Sequence, residues 1–165
     1  MIEIRAAVEA DWEQIWPIFR AVVQRGDAFV YAPDTSESEA RAIWMARDHS
    51  VYIALLDGQV AGSYWFRRNQ PGLGDHVANA AYMVHPGFGG RGVGRAMGRH
   101  SLCETWTAGF SAMQFNIVVS VNEPAVRLWT SLGFEVIGRI PGGFRHAQFG
   151  MVDALIMYKS LDDDS

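Results

Sequence analysis

The stretch VYIALLDGQVAGSYWFR, residues 51–67, reads as two strands joined by Asp57-Gly58. Both residues of that dipeptide tolerate positive φ, which a two-residue primed turn demands, and such a turn matches the twist of the strands it joins. The hairpin forces antiparallel pairing. Downstream the pattern changes: HVANAAYMV reads as a strand, HPGFGGRGVG as a glycine loop, and a helix runs from about Val93 to Ala108. Then come strand MQFNIVV, helix NEPAVRLWTSLG, strand FEVIGRI, a glycine-rich loop and strand VDALIMYKSL. Strand-helix-strand units need parallel crossovers. A chain holding both kinds of unit around one core is an α/β (α+β) protein with a mixed, mostly antiparallel central sheet of about six to seven strands flanked by about four helices.

Upstream of the hairpin, IEIRAA reads as an opening strand. EADWEQIWPIFRAVVQRG then switches to helical spacing, with Trp12, Ile15, Trp16, Phe19 and Val23 on one stripe and Gly26 at its end. DAFVYAPDTS is an aromatic-bearing loop. SESEARAIWMARD starts as a capped helix, with Ser36 and Glu39 in capping-box spacing and Ile43 and Trp44 turned inward. At 165 residues and 49% hydrophobic composition, the chain suits one domain, spanning 1–160, with LDDDS (161–165) as a solvated acidic tail. A net charge of −4 argues against a general electrostatic grip on nucleic acid or an anionic membrane, so a basic site must be local. The start lacks a basic leader and an apolar signal core, and the longest apolar runs are far too short to span a bilayer, so a cytoplasmic protein is expected. Cys103 is the single cysteine, which excludes an intrachain disulfide and a thiolate metal cluster and reads as a small buried helix residue; no metal site is expected.

The glycine loop carries most of the functional information. Gly87, Gly89 and Gly92 fit G-x-G-x-x-G literally, but the dinucleotide fingerprint also needs an acid about 20 residues later, and the strand and exit MQFNIVVSVN hold none. A P-loop fails because no G-K-S/T follows. A third reading is a phosphate cradle: Gly89, Gly90, Gly92 and Gly94 bare successive N–H groups at the start of a helix whose dipole favours an anion, with Arg91 and Arg95 adding charge. A plain connector with a glycine cap is the alternative.

VHPGFGGRGVGRAM resembles the pyrophosphate loop of the GNAT superfamily of acetyl-CoA-dependent N-acetyltransferases, usually Q/R-x-x-G-x-G/A. Gly92 and Gly94 match; Gly89 stands where Arg or Gln is usual. NEPAVRLWTSLGF resembles the family's later segment through Asn122, Ala125, Leu132, Gly133 and Phe134. The resemblance covers nearly the whole chain and is nearest to the phosphinothricin and azetidine-2-carboxylate acetyltransferase branches. It implies acetyl-CoA as cosubstrate, with Met83, Val84, Gly89, Gly90, Arg91, Gly92, Val93, Gly94, Arg95, Asn116, Asn122 and Trp129 against it. It also implies that ANAAYMV and FNIVVS splay apart and that backbone around Tyr82, Met83 and Val84 pairs with the pantetheine arm. One such N–H can polarise the thioester oxygen, worth about 3 kcal/mol for an oxyanion donor.

Acetyl transfer needs a proton taken from the amine and one returned to the thiolate. The family's usual glutamate is Asn79 here, and its usual tyrosine is Trp129; neither side chain relays a proton. Asn79, Asn116 and Asn122 resemble three asparagines of the azetidine-2-carboxylate branch, which implies a small amine or amino acid as acceptor, oriented by Asn79. Asn122 equally suits an N-cap before Glu123 and Pro124. His85, Glu123 and Tyr82 are the candidates for proton transfer, beside a water chain with no dedicated base. Tyr31, Trp65, Phe144, Arg145 and His146 sit where an acceptor pocket can form, an arginine there being able to hold a carboxylate, or where core packing uses the aromatics. Two other functions stay open: a non-catalytic acetyl-CoA-binding module, and acetylation of a protein or peptide. A homodimer is compatible with the resemblance.

Overall fold

The computed structural model describes residues 1–162. Seven strands form one sheet in the order β1-β2-β3-β4-β5-β7-β6: β1 Ile2–Ala6, β2 Ser50–Leu56, β3 Gln59–Arg68, β4 Val77–Val84, β5 Ala112–Val119, β6 Glu135–His146 and β7 Gly150–Ser160. All neighbours pair antiparallel except β4 and β5, so the mixed, mostly antiparallel sheet is as expected. The expected hairpin turn is present, with φ of 53° at Asp57 and 81° at Gly58.

Four helices cover the two faces: α1 Trp12–Gln24, α2 Glu37–Trp44, α3 Val93–Thr107 and α4 Glu123–Ser131. Successive strand residues point to opposite faces, and two cores follow from that alternation. Tyr52, Tyr64, Phe66, Ala80 and Met113 pack with Met97 and Trp129 on the α3/α4 face. Ile53, Trp65 and Met83 pack with Ile15, Phe19, Val23 and Trp44 of α1 and α2 on the other. Trp44 is fully buried, and its indole donates to Ser63 Oγ at 2.9 Å, which donates to the Tyr52 carbonyl at 2.8 Å. The capping box of α2 forms as read: Glu39 N–H donates to Ser36 Oγ at 3.3 Å and Ser36 N–H to Glu39 Oε2 at 2.9 Å. The helix stops at Trp44, four residues short of the expected Asp48.

The second glycine-rich loop is a correction. Residues 141–146 belong to β6, which continues through PGGFRH to a tight turn at 147–149. The ladder with β7 steps from Ile140↔Ala154 to Phe144↔Val152, so Pro141, Gly142 and Gly143 stand opposite Asp153 as a wide bulge. Asp153 holds it, accepting from Gly142 N–H at 2.9 Å and Arg139 Nη1 at 2.8 Å. The turn then docks on the end of α1 through Ala147 N–H to the Gly26 carbonyl at 2.9 Å.

Cys103, expected to be buried, is exposed on α3. Leu161 is buried, with its N–H on the Ser111 carbonyl, while residues 163–165 of the acidic tail lie outside the described residues. Among the described residues no helix is long and apolar enough to cross a membrane, and no three or more His, Cys, Asp or Glu side chains cluster so as to hold a metal ion.

Candidate active site

The site begins where the parallel ladder ends. β4 and β5 pair only at Val77↔Ala112 and Ala78↔Met113. Beyond them Asn79 bridges the strands by its side chain, Nδ2 donating to the Gln114 carbonyl at 3.0 Å. The strands then diverge around a cavity of about 270 Å³, lined by β4 from Asn79 to Tyr82, by β5 from Phe115 to Val119, and by Phe29, Tyr31, Trp65, Asn122 and Trp129. A second irregularity widens it. On β5 the ladder to β7 steps from Phe115↔Met157 to Val118↔Leu155, so Asn116 and Ile117 bulge out of register into the cavity wall.

Which backbone of β4 faces the gap follows from its antiparallel pairing with β3. Asn69 N–H bonds the Val77 carbonyl at 2.8 Å and His85 N–H the Ala61 carbonyl at 2.7 Å, with an unbroken register between. Alternation then turns the peptide groups of Asn79, Ala81 and Met83 to β3 and those of Ala80, Tyr82 and Val84 to the gap. Met83 therefore departs from the expected Tyr82–Val84 run: its peptide groups face Ser63, and its side chain is buried in the α1/α2 core.

At the wide end lies the glycine loop. Gly90 has φ 72° and Gly92 φ 82°, a region that side chains disfavour, and a Cβ at either would meet no atom within 4 Å. Gly92 is the N-cap of α3 and supplies no capping side chain. The N–H groups of Val93, Gly94 and Arg95 thus lack intrahelical acceptors, the first closed bond being Ala96 N–H to the Gly92 carbonyl at 2.9 Å. This donor-rich, dipole-positive end is what the phosphate-cradle reading requires. Gly89, at φ −59° and ψ 145°, has a backbone open to any residue. The Arg91 guanidinium lies 5.6 Å from the Phe88 ring, and Arg95 Nη2 donates to Ser131 Oγ at 2.8 Å, tying α3 to α4.

One glycine that sequence reasoning missed makes this junction possible. A Cβ on Gly98 would lie 2.6 Å from a Leu132 methyl and 3.1 Å from the Trp129 ring, so a side chain there would have to displace both where α3 meets α4. The available signal was a glycine inside a helical run, which costs about 1 kcal/mol relative to alanine and calls for a packing reason. Trp129 in turn packs its ring on Tyr82 at 4.6 Å and Phe115 at 4.7 Å.

The three side chains considered for proton transfer are engaged elsewhere. Tyr82 Oη lies 2.7 Å from Ser101 Oγ and 3.5 Å from Met113 Sδ, and burial pushes its phenol above the ordinary range. His85 Nδ1 accepts from Gly87 N–H at 2.9 Å, which makes it a cap of the loop. Glu123 is exposed and pairs with Arg127 at 3.5 Å. Asn122 caps α4, its Oδ1 accepting from Ala125 N–H at 3.3 Å, and lines the cavity as well; both of its readings are compatible with its place. Asn116 Nδ2 donates to Asn69 Oδ1 at 2.7 Å, and its own Oδ1 accepts from Gln114 Nε2 at 3.1 Å.

Of the expected acceptor-pocket residues, Tyr31 and Trp65 line the cavity and Phe144, Arg145 and His146 do not. Because the expected loop is strand, Phe144 is buried and Arg145 exposed on β6. His146 closes the β6–β7 turn, its Nδ1 accepting from Gln148 and Phe149 N–H at 3.1 and 3.2 Å.

Comparison with known proteins agrees with this geometry. The model of the acetyltransferase (GNAT) family matches residues 11–134. A GCN5-related N-acetyltransferase from Kribbella flavida is 40% identical and superposes with a TM-score of 0.92, over 96% of this chain and 97% of that one. The Salmonella typhimurium protein yncA, solved with its cofactor acetyl-CoA, is 26% identical with a TM-score of 0.85, over 100% of this chain and 96% of its own. N-acetyltransferase aca1 of Schizosaccharomyces pombe is 32% identical over 106 residues, 62% of this chain; that match spans about half of the relative, 51% of its length.

Proposed function

Since the chain belongs to the GNAT acetyltransferase family, we propose that it transfers acetyl from acetyl-CoA to the amine of a small molecule by direct attack within a ternary complex. The observation that carries this reading is the early parting of β4 and β5 beside an uncapped helix start. The pyrophosphate rests on the N–H groups of residues 92–95, with Arg91 nearby. The pantetheine arm then pairs with the free peptide groups of Ala80, Tyr82 and Val84 as a further strand, and Trp129 and Phe115 give it an apolar floor.

In that position the Val84 N–H donates to the thioester oxygen as negative charge develops there, a contribution of about 3 kcal/mol for such donors. The amine nitrogen attacks the carbonyl carbon, the C–S bond breaks, the nitrogen loses a proton and the thiolate gains one. Asn79, with Nδ2 held by Gln114, offers its Oδ1 to the amine and so orients the lone pair. With Tyr82, His85 and Glu123 engaged elsewhere, solvent carries the protons. The cavity of about 270 Å³ favours a compact acceptor over a protein terminus.

The test is steady-state kinetics with a panel of amines, read by thiol release. Intersecting initial-velocity lines are expected. Parallel lines with a trapped acetyl-enzyme would overturn the ternary mechanism, and saturable acetyl-CoA binding without turnover on any amine would leave only a binding module.

A further inference from the structure

We propose that Asn69, which is not itself part of the cavity lining, is a positioning residue for acetyl transfer: it pins the bulged Asn116 of β5 to the β3–β4 pair and so sets the width of the cleft where the acceptor sits; this rests on the small-amine reading above. The backbone ladder between β4 and β5 stops at Ala78↔Met113, and two side-chain rungs follow it. In the first, Asn79 Nδ2 donates to the Gln114 carbonyl at 3.0 Å. In the second, Asn116 Nδ2 donates to Asn69 Oδ1 at 2.7 Å. β4 lies between β3 and β5 in the sheet, so this second bond reaches across a whole strand. Its far end is anchored, because the Asn69 N–H bonds the Val77 carbonyl at 2.8 Å, one residue beyond the Arg68↔Ala78 pair.

Alternation along the strands places these amides on one face. Met113 and Phe115 belong to the α3/α4 core, so Gln114 between them turns to the other face, and its Nε2, donating to Asn116 Oδ1 at 3.1 Å, keeps Asn116 there. Ala78 and Ala80 belong to the α3/α4 core as well, which turns Asn79 the same way as Asn116. That is the face of Phe29 and Tyr31, opposite the Trp129 and Phe115 floor proposed for the pantetheine arm. A bulged residue has no ladder bond to fix it, and Asn116 and Ile117 together stand opposite the single Ile156. Both ends of the Asn116 amide are nevertheless held, Oδ1 by Gln114 and Nδ2 by Asn69, which fixes its orientation at a position that lines the cavity. One amide hydrogen and one lone pair stay unspent there for a ligand. Asn69 contributes only its oxygen to this arrangement, so a pin can be told apart from mere bulk.

The experiment pairs Asn69→Ala, which removes the acceptor for Asn116 Nδ2, with Asn69→Asp, which keeps it. With the best amine of the panel, read by thiol release, Asn69→Ala should lower kcat/KM by about tenfold or more, because small misplacements around a reacting group carry penalties of that order. Asn69→Asp should stay within about threefold of the unmodified protein, since a carboxylate oxygen accepts at least as well as an amide oxygen. The acetyl-CoA Michaelis constant should hold within about twofold in both, the mark of an interaction confined to the acceptor end. Asn69 is only half-buried, and thermal melts of both variants check the fold. A merely structural role would lower the melting temperature without this split and without rescue by aspartate. Unchanged amine kinetics in Asn69→Ala, equal damage in Asn69→Asp, or a rise in the acetyl-CoA constant matching the loss in kcat/KM would each overturn the proposal and leave acetyl transfer standing. NMR of isotope-labelled protein reads the pin without turnover: the Asn116 side-chain amide protons should exchange with water about tenfold faster in Asn69→Ala and at the unmodified rate in Asn69→Asp. If no amine is turned over, that exchange pattern upholds the pin and overturns the transferase reading, whereas equal exchange in all three proteins overturns both.

Discussion

At the α3 end the cleft presents bare backbone, with Gly90 and Gly92 at positive φ and an uncapped first helical turn, whereas at the β3 end it presents the side chains of Phe29, Tyr31, Trp65 and Asn79. The first arrangement resists change of residue type at Gly90 and Gly92, because positive φ disfavours side chains there. The second holds residue types that cores use everywhere. A backbone site therefore leaves a compositional mark in the chain and a side-chain site does not. In the proposed function the cofactor is met by the marked end and the acceptor by the unmarked one.

The comparison breaks first at Gly92. Valine there is strained at φ 82° although its Cβ would touch nothing within 4 Å. Gly92→Val should raise the acetyl-CoA Michaelis constant tenfold or more and cost about 1–3 kcal/mol in urea unfolding, with acceptor preference unmoved. An unchanged constant would make the loop a connector and erase the contrast. Next comes the floor under the other end. Ser63→Ala strands the buried Trp44 indole N–H, so a loss of about 1–3 kcal/mol is expected, with the acetyl-CoA constant unchanged; a shift in that constant would mean that the two ends are not separable.

The smallest effect is a pH dependence. His49 stacks on Trp65 at 3.9 Å, and burial holds its imidazole below the ordinary 6.5. The unfolded chain then binds the proton first, so stability is whole above about pH 6.5 and declines as pH falls from there through the folded value. Melting temperature should drop from pH 7.5 to 5, and His49→Gln should flatten that slope; an unaltered slope would remove His49 as its source.

The hairpin, the capping box, the helix after the glycine loop and the family were legible because each rests on local chemistry that few residue types satisfy. β6 was not. Pro141, Gly142 and Gly143 are turn residues, and only Asp153 on the partner strand makes them a bulge within a continuous strand. That misreading carried Phe144 and Arg145 into the acceptor pocket. The lining of the cavity depends on events between strands: a ladder that stops at Ala78 and a bulge at Asn116 and Ile117. Neither has a signature within its own strand. Met83 and Val84 differ in the same way, since only the register with β3 decides whose peptide groups are free.

The bulge in β6 has a bearing on how these molecules behave in a crowd. β6 is the outer strand of the sheet and exposes Val136, Ile137 and Ile140. A long, flat, apolar border of that kind invites another chain to zip onto it and seed aggregates. Pro141 lacks an amide hydrogen, and the two extra residues at 141–143, with the smaller irregularity between Val136 and Gly138, break the border into short runs. The irregularity that hid the second half of this strand in the sequence thus interrupts a border that could otherwise pair with another chain. Replacing Pro141-Gly142-Gly143 with a single valine would remove the larger of the two irregularities and, on this view, lower solubility.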